Sequence, residues 1–372
     1  MKAADFFAAG GMVKLVEYEA TRMPALARAY ASATAATPFC ASADGGTEQW
    51  AEELRTLPKQ MTAAGTRSCS WRRIWLALSD EGGGEVLGFV DACVRPARAG
   101  KEWRSGSTHA VVDIPRTGLI RFLWHEPGHR EAGVALLDVA EQHLRDKAQV
   151  SDVYAFDQAY RYRFYMMSSA YLSQTAHHIH ALLGTRDYER CNGECYYRWA
   201  GFEITAALAP SLPPGVRYRV ELVPGRGRLP GTKVFAVSEE TGKDLGVCVT
   251  ISGAEFSVDS SHATDYEAAS RLAFVTWLGV PVVATANRLH PSQGQGLGKA
   301  LLAEGLKQMQ FLGYRDAAIS TAEKNYKAQV FYANYGGFSL VDWTWGLKRR
   351  QSFAPTSDEK LRASQPAVAA SL

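Results

Sequence analysis

The chain has 372 residues, of which 47% are hydrophobic and 21% are charged, so it is long enough for two globular domains and is not a disordered protein. Its net charge of +3 is too small to indicate nucleic-acid binding, although it suits an anionic ligand. We find no run of about eighteen apolar residues and no charged-then-apolar leader. The sequence therefore predicts a cytoplasmic protein without a membrane partner.

The cysteines indicate neither a disulfide framework nor a metal site. They stand at positions 40, 69, 93, 191, 195 and 248, and this low density is typical of reduced thiols. Cys191 and Cys195 follow three histidines at positions 177, 178 and 180, but neither spacing is usual for zinc. The histidines are instead arranged like one side of a helix, so we expect no metal.

The first half of the chain begins with a predicted strand from Met12 to Tyr18 and helical segments between about residues 22 and 65. Trp75 to Val90 reads as an apolar strand, an acidic turn with glycines, and a second strand, which predicts a β-hairpin. Ile120 to Leu137 then predicts a strand closed by Pro127, a loop and a helix. The helix contains the spacing Arg130-x-x-Gly133-x-Ala135.

An aromatic-rich insertion follows at residues 157–174, and its aromatics either line an acceptor pocket or form a packing surface between domains. A helix over TAHHIHALLG and a terminal strand over Cys195 to Trp199 complete this half. The segment from Ala206 to Gly215, rich in proline and small residues, predicts a linker. We therefore expect domains over residues 1–205 and 216–352, and a disordered tail over 353–372.

The second half repeats the pattern of the first. Tyr218 to Leu222 predicts a strand, and Val234 to Val249 predicts a hairpin like the earlier one. Between them stands only PGRGRLPG, which is too short for a pair of helices. A strand-like stretch from Val282 and a Gly-rich loop that ends at Gly298 match the segment that begins at Ile120.

The loop carries the spacing Gln293-x-x-Gly296-x-Gly298 directly before an amphipathic helix that runs from Leu297 to Met309. Glycines leave space for a diphosphate, and the helix N-terminus offers unpaired N–H groups and the positive end of its dipole. The P-loop lysine followed by Ser or Thr is missing, as is the GxGxxG register of dinucleotide sites. A coenzyme diphosphate is therefore the predicted ligand.

A strand from Ala317 to Thr321 follows, and after it the run Asn325-x-x-Ala328-x-x-Phe331-Tyr332. Together with the Gly-rich loop, this run resembles the GCN5-related N-acetyltransferases (GNAT). The resemblance implies an α/β fold with a mixed sheet, present as two tandem GNAT folds, and acetyl-CoA as co-substrate.

The resemblance also implies roles for individual residues. In that family the strand before the loop offers backbone groups to the pantetheine, the loop holds the pyrophosphate, an Asn contacts the pantetheine and a Tyr lies near the thioester sulfur. Here the acyl-CoA positions would be Asn287, Arg288, Leu289, Gln293, Gly294, Gln295, Gly296, Leu297, Gly298 and Asn325, and the general acid would be Tyr332. His290 titrates in the range for a general base, and a water relay without an essential base is equally compatible.

One detail departs from the family pattern. The turn after the helix reads Tyr335-Gly336-Gly337-Phe338, one residue longer than is usual for the family. Tyr335 is therefore a minor rival to Tyr332 for the role of general acid.

The two halves differ in the residues that stand at the positions of Tyr332 and Asn325. If Tyr188 matches Phe338, then Leu182 stands in place of Tyr332 and Thr175 in place of Asn325. A rival register makes Tyr197 the tyrosine of the first half, but the alternation around it is typical of a strand. We therefore expect the second half to catalyse, with Arg130, Gly133 and Ala135 as a second candidate acyl-CoA loop.

The predicted function is transfer of acetyl from acetyl-CoA to the primary amine of a small molecule by direct attack on the thioester. Alternatives are an enzyme that uses another acyl-CoA or acts on a hydroxyl, thiol or carrier protein, and a non-catalytic acyl-CoA-binding scaffold. We expect a monomer or homodimer without nucleic-acid partners.

Overall fold

The structure is a computed structural model that describes residues 13–35, 37, 54–55, 59–62, 65–80, 84–103, 109–114, 116–148, 150, 152–157, 162, 171–225, 229–256, 271–279 and 296–350. The predicted disordered tail, 353–372, and most of the Gly-rich loop, up to residue 295, lie outside these ranges. Below, the first half means residues up to 205 and the second half those from 216.

The first half contains eleven described strands and three described helices. In chain order they are β1 (Val13–Glu17), α1 (Met23–Thr34), β2 (Lys59–Thr62), β3 (Gly65–Ser68), β4 (Ser70–Ser79), β5 (Val86–Arg95), β6 (Arg98–Trp103), β7 (His109–Ile114), β8 (Thr117–His125), α2 (Arg130–Ala148), β9 (Asp152–Ala155), β10 (Leu172–Ser173), α3 (His177–Gly184) and β11 (Glu189–Trp199). β2 with β3, and β6 with β7, form separate two-stranded hairpins.

The second half repeats the order of β1, β4, β5, β8, α2, β9, α3 and β11, and its described residues contain no counterpart of α1, of β10 or of the two separate hairpins. Its elements are β12 (Val216–Val223), β13 (Gly231–Ser238), β14 (Asp244–Ser252), β15 (Leu272–Gly279), α4 (Leu297–Phe311), β16 (Asp316–Ala322), α5 (Tyr326–Ala333) and β17 (Ser339–Arg350). The described residues between β12 and β13 contain no helix, in line with the short segment there. None of the described helices is both long and apolar enough to cross a membrane.

Both predicted hairpins are confirmed. Trp75 faces Val90 between β4 and β5, and Val234 faces Cys248 between β13 and β14. α4 follows the Gly-rich loop as predicted and buries its leucines together with Met309. These elements form because their apolar residues recur with the period of a half-buried strand or a one-sided helix.

One mixed sheet of thirteen strands runs through the described chain. Within it, the two halves exchange their last strands. Its order is β1-β4-β5-β8-β9-β17-β11-β16-β15-β14-β13-β12, and β10 pairs with β17 outside this path. β9 of the first half therefore pairs with β17 of the second half, while β16 of the second half pairs with β11 of the first. Each half is completed by a strand from the other.

The exchange is symmetric. β11 and β17 begin 150 positions apart (339 − 189 = 150), and their antiparallel pairing maps onto itself under that shift. Tyr197 faces Leu340, for instance, and the shifted pair, Leu347 with Arg190, is also observed. Tyr197 and Leu347 therefore hold equivalent positions in the two halves.

Each half contains one short parallel pairing, and in the second half both strands continue beyond it. The parallel pairing of β15 with β16 stops at Val275 and Ile319, and that of β8 with β9 stops at Ile120 and Ala155, although β8, β15 and β16 continue. Ile120 is thus equivalent to Val275, and the predicted match of Ile120 with Val282 is wrong. The described strand β15 ends at Gly279 and α4 begins at Leu297, whereas β8 ends at His125 and α2 begins at Arg130, so the two halves differ in the number of residues between strand and helix.

The extra glycine after α5 is explained by the exchanged strand. Trp199 of β11 lies against both Gly336 and Gly337, and a Cβ added to Gly337 would stand 2.5 Å from the Trp199 Nε1 atom. Gly336 also has a φ of +60°, a conformation that glycine adopts without strain. The turn is therefore shaped to a side chain of the first half.

This contact predicts the effect of a substitution. Gly337→Ala should lower the free energy of unfolding by about 1–3 kcal/mol, because the methyl group overlaps the indole. Chemical denaturation measures the loss. In the Trp199→Leu background the same substitution should cost less, since the indole is gone, and equal losses in both backgrounds would contradict the contact.

The predicted linker packs against the second half. Leu208 and Leu212 contact its hydrophobic cluster, and the Leu208 carbonyl accepts a hydrogen bond from the Tyr335 hydroxyl. The proposed domain bounds stay a prediction, since the sheet itself runs through both halves.

A buried ion cluster lies in the first half. Asp91 is fully buried and accepts hydrogen bonds from Arg72 at 3.2 and 2.8 Å and from Arg121 at 2.9 Å. The Arg121 guanidinium also lies 5.5 Å from the ring centroid of Tyr162, a buried residue of the aromatic insertion. Tyr171 of the same insertion is buried against Gly346 of β17. Both described aromatic residues of the insertion therefore pack inside the protein.

Candidate functional site

The second half has an opening between two parallel strands. β15 continues to Gly279 and β16 to Ala322, beyond the last pair between them, Val275 with Ile319. Thr276 to Gly279 therefore run along the edge of the gap, a position that the sequence assigned to Asn287, Arg288 and Leu289. Those three residues, and the candidate base His290, lie outside the described ranges, so their roles stay predictions.

The N-terminus of α4 is open to an anion. The N-cap residue is Gly296, with a φ of +78°. Because glycine has no side chain, no side-chain hydrogen bond caps the helix, and the first helical turn contains no acidic residue. A Cβ added to Gly296 or Gly298 would meet no described atom within 4 Å. The N–H groups of this first turn are thus available, as the helix dipole and a diphosphate require.

Gly296, Leu297 and Gly298 are the only residues of the predicted pyrophosphate loop within the described ranges. Leu297 is buried in the second-half cluster and anchors the start of α4. Gln293, Gly294 and Gln295 fall outside the described residues. The part that the structure does describe fits a coenzyme diphosphate.

Asn325 caps the next helix. Its Oδ1 atom accepts a hydrogen bond from the Ala328 N–H at 3.3 Å, which fixes the start of α5. Its side-chain amide donates no hydrogen bond within the described residues. One end of Asn325 therefore holds the helix, and the donor end is available to a ligand.

Tyr332 is the buried residue of α5. It is 6% exposed, while Tyr326 and Val330 on the outer side of the same helix are 68% and 65% exposed. The Tyr332 ring meets the ring of Tyr197 edge-on, with centroids 5.9 Å apart. Burial raises the pKa of Tyr332 above its ordinary value, with smaller contributions from Cys248 and Tyr197, so its hydroxyl stays protonated at neutral pH.

The two rival tyrosines differ in what their hydroxyl groups do. The Tyr335 hydroxyl donates to the Leu208 carbonyl at 3.2 Å, so it serves packing. The Tyr332 hydroxyl makes no hydrogen bond within the described residues. Tyr332 is thus the one of the pair whose proton is not already committed to the protein.

Two thiols lie close to the candidate site and are poor nucleophiles. Burial raises the pKa of Cys248 to about 12 and that of Cys195 to about 12. Because the thiolate is the reactive form, both are protonated and inert near neutral pH. The geometry offers no activated cysteine among the described residues for a covalent acyl intermediate.

The corresponding loop of the first half is built differently. α2 begins at Arg130, so Gly133 and Ala135 lie inside the helix, and the N–H groups of Ala132 and Gly133 donate to the His129 carbonyl. Glu131 places a carboxylate in the first helical turn, which repels an anion. Coenzyme binding at Arg130, Gly133 and Ala135 stays a prediction.

A histidine pair fills the space beside this loop. His125, the last residue of β8, contacts Gly133 so closely that a Cβ there would overlap its ring. The His178 ring of α3 meets the His125 ring at 4.8 Å, and its Nε2 donates to the His125 carbonyl at 3.0 Å. Burial lowers the pKa of both histidines, which favours their neutral forms. The gap between α2 and α3 is therefore occupied by protein.

The helix of the first half also lacks the two expected side chains. α3 has Ala176 at its N-cap and buries Leu182 and Leu183 where α5 has Tyr332. Tyr197 lies in β11, so the rival register that placed it on this helix is wrong.

The fold of the chain is similar to that of several solved structures. No family model matches the sequence, and no curated protein matches it. A GCN5-related N-acetyltransferase from Sphaerobacter thermophilus shares 15% identity over 91% of this chain and 95% of its own, with a TM-score of 0.52. A tandem GNAT protein from the clavulanic acid biosynthesis pathway shares 15% identity over 91% and 98%, with a TM-score of 0.53.

The chain has the tandem GNAT fold. A glucosamine N-acetyltransferase region of a fungal multi-domain GH3 β-N-acetylglucosaminidase has a TM-score of 0.55 at 11% identity, over 92% of this chain and 38% of that one. Identities this low establish the GNAT fold and leave the reaction open. The predicted fold class is confirmed.

Sequence reasoning missed the place of Tyr197 in this GNAT fold. In the sequence, Tyr197 is a candidate only for the site of the first half. In the structure, the exchanged strand brings Tyr197 into contact with Tyr332 of the second half. The alternation of apolar and polar residues around Tyr197 predicts the strand. No local feature of the sequence predicts which part of the sheet a strand joins. The histidines of α3 and the cysteines of β11 form no metal cluster with other described residues.

Proposed function

We propose that the chain is an acetyl-CoA-dependent N-acetyltransferase that acetylates the primary amine of a small molecule, and that the second half carries out the reaction. The GNAT fold supports acyl transfer, and the open N-terminus of α4 supports a coenzyme diphosphate there. The observation that carries the proposal concerns Tyr332. Its ring is buried, and its hydroxyl group makes no hydrogen bond within the described residues.

The mechanism assigns each group one task. Acetyl-CoA would supply the acetyl group as a thioester, with its diphosphate at the N-terminus of α4 and its pantetheine beside Asn325. The amine nitrogen attacks the thioester carbon directly, so that a C–N bond forms and the C–S bond breaks. Tyr332 gives its proton to the departing sulfur, and water restores it.

The proton of the attacking amine needs an acceptor. An aliphatic amine has a pKa of about 10, so it must lose a proton before or during attack at neutral pH. His290 or a chain of water molecules would receive that proton. The protonated states of Cys248 and Cys195 support direct attack over a cysteine-bound intermediate.

The assignment of the two halves predicts an asymmetric result. CoA release is measured with acetyl-, malonyl- and longer acyl-CoAs against a panel of primary amines. Gln293→Ala should raise the KM for acetyl-CoA about tenfold, the cost of one lost hydrogen bond, because its loop leads into the open helix. Arg130→Ala should stay within about twofold, because its helix is closed by His125.

Two outcomes would count against this assignment. Equal losses in Gln293→Ala and Arg130→Ala would place an active coenzyme site in both halves. No CoA release with any amine of the panel would remove the N-acetyltransferase proposal itself.

A further inference from the structure

The exchanged strand delivers a first-half side chain to the candidate general acid. Tyr197 lies in β11, which pairs with β16 and β17 and so enters the sheet of the second half. Its ring is 4% exposed and meets the Tyr332 ring at 61° with centroids 5.9 Å apart. An edge-on contact of this kind fixes the orientation of both rings.

Two aromatic rings contact Tyr332 among the described residues: Phe331 of the same helix, at 5.3 Å between centroids, and Tyr197 from β11. The helix is eight residues long, and Tyr332 is the residue it buries. Residues on its outer side, such as Tyr326, are exposed. Within α5 only the neighbouring Phe331 supports the Tyr332 ring, and Tyr197 is the aromatic residue that reaches it from another described element.

The other half supplies an internal comparison. Leu347 of β17 holds the position equivalent to Tyr197, and it is buried in the first-half core together with Leu182 and Leu183 of α3. A leucine thus occupies this position in the core to which α3 contributes the aliphatic side chains Ile179, Leu182 and Leu183. In the second-half core, the equivalent position is occupied by Tyr197, and the tyrosine beside it, Tyr332, makes no hydroxyl hydrogen bond within the described residues.

We propose that Tyr197 is a positioning residue for Tyr332, so that the acyltransfer site of the second half includes a side chain of the first half. This inference rests on the proposed role of Tyr332 as proton donor. A proton donor acts only within hydrogen-bond reach of the atom it protonates, so a ring that turns away loses its effect. The two halves then form one catalytic unit.

A double-mutant cycle in the full chain tests the proposal. Tyr197→Leu, which copies the residue of the other half, should lower kcat about tenfold and leave the KM for acetyl-CoA within about twofold. Tyr197→Phe keeps the edge-on ring and should stay within about threefold of the unmodified chain. Tyr197→Leu combined with Tyr332→Phe should be no slower than Tyr332→Phe alone, because the positioned hydroxyl is already absent.

A purely structural role gives a different pattern. If Tyr197 only supports the core, the losses multiply in the double mutant, and that result overturns the proposal. An unchanged kcat in Tyr197→Leu also overturns it. If Tyr332→Phe itself has no effect, the proposed function fails, which is distinguishable from failure of the Tyr197 proposal alone.

The matched control is Tyr196, the neighbouring buried residue on the same strand. Tyr196 packs in the first-half core and Tyr197 in the second-half core, so Tyr196→Leu disturbs the same strand away from Tyr332. Thermal unfolding of both leucine variants is compared. Should Tyr197→Leu be markedly less stable than Tyr196→Leu, Tyr197→Met fills more of the space and replaces it in the cycle, with the same expected non-additivity.

Discussion

Tyr332→Phe is expected to lower kcat about 100-fold while the KM for acetyl-CoA changes by no more than about twofold. The substitution keeps the buried ring and its contact with Tyr197 and removes only the hydroxyl. That hydroxyl makes no hydrogen bond within the described residues, so its loss has little effect on folding. Steady-state kinetics with an accepted amine, together with thermal unfolding, separates the catalytic effect from a structural one.

Tyr335→Phe is the matched control. It removes the hydrogen bond to the Leu208 carbonyl and should lower the free energy of unfolding by about 1 kcal/mol, with kcat nearly unchanged. If Tyr335→Phe abolished turnover and Tyr332→Phe did not, the general acid would be Tyr335.

The pH profile provides a second check on Tyr332. The active form of a proton donor is the protonated one, so its activity is present below its pKa and is lost as the pH rises through it. Burial raises the pKa of Tyr332 above the ordinary value of about 10. The alkaline loss of kcat assigned to this group should therefore lie above pH 10, and a loss near pH 8 that disappears in Tyr332→Phe would contradict the assignment.

Asp91→Ala is expected to cost about 3–5 kcal/mol in the free energy of unfolding. The substitution leaves Arg72 and Arg121 charged and buried without the carboxylate that accepts three of their hydrogen bonds. Urea unfolding followed by circular dichroism measures the loss. Because β11 of the first half belongs to the sheet of the second, turnover should fall together with folding.

The control for Asp91→Ala is Asp138→Ala in the same half. Asp138 is exposed and pairs with Arg186 at 2.6 Å, and exposed ion pairs contribute at most about 1 kcal/mol. If the two variants lost similar amounts of unfolding free energy, the buried Asp91 cluster would contribute no more to stability than an exposed ion pair. Full turnover in an unfolded Asp91→Ala first half would argue against the exchange of strands.

Sequence reasoning predicted those parts of the candidate site that depend on neighbours along the chain. The helix after the glycines and the strand around Ala317 follow from side chains a few positions apart, whereas the cap formed by Asn325 and the burial of Tyr332 are seen only in the structure. Two apolar stretches precede the glycines, and the one from Val282, which the sequence favoured, lies outside the described residues. β15 at Leu272–Gly279 is the one that pairs with β16.

The sequence by itself determined the order of the elements that the two halves share, the hairpins β4–β5 and β13–β14, and the glycine-rich start of α4, because turn chemistry and apolar periodicity are local properties. Only the tertiary structure decided that β11 and β17 change places. Every strand offers the same backbone N–H and C=O groups to either neighbouring sheet, so alternation identifies a strand without naming its partner. That choice brings Tyr197 to Tyr332 and Trp199 to Gly337, contacts between residues more than a hundred positions apart.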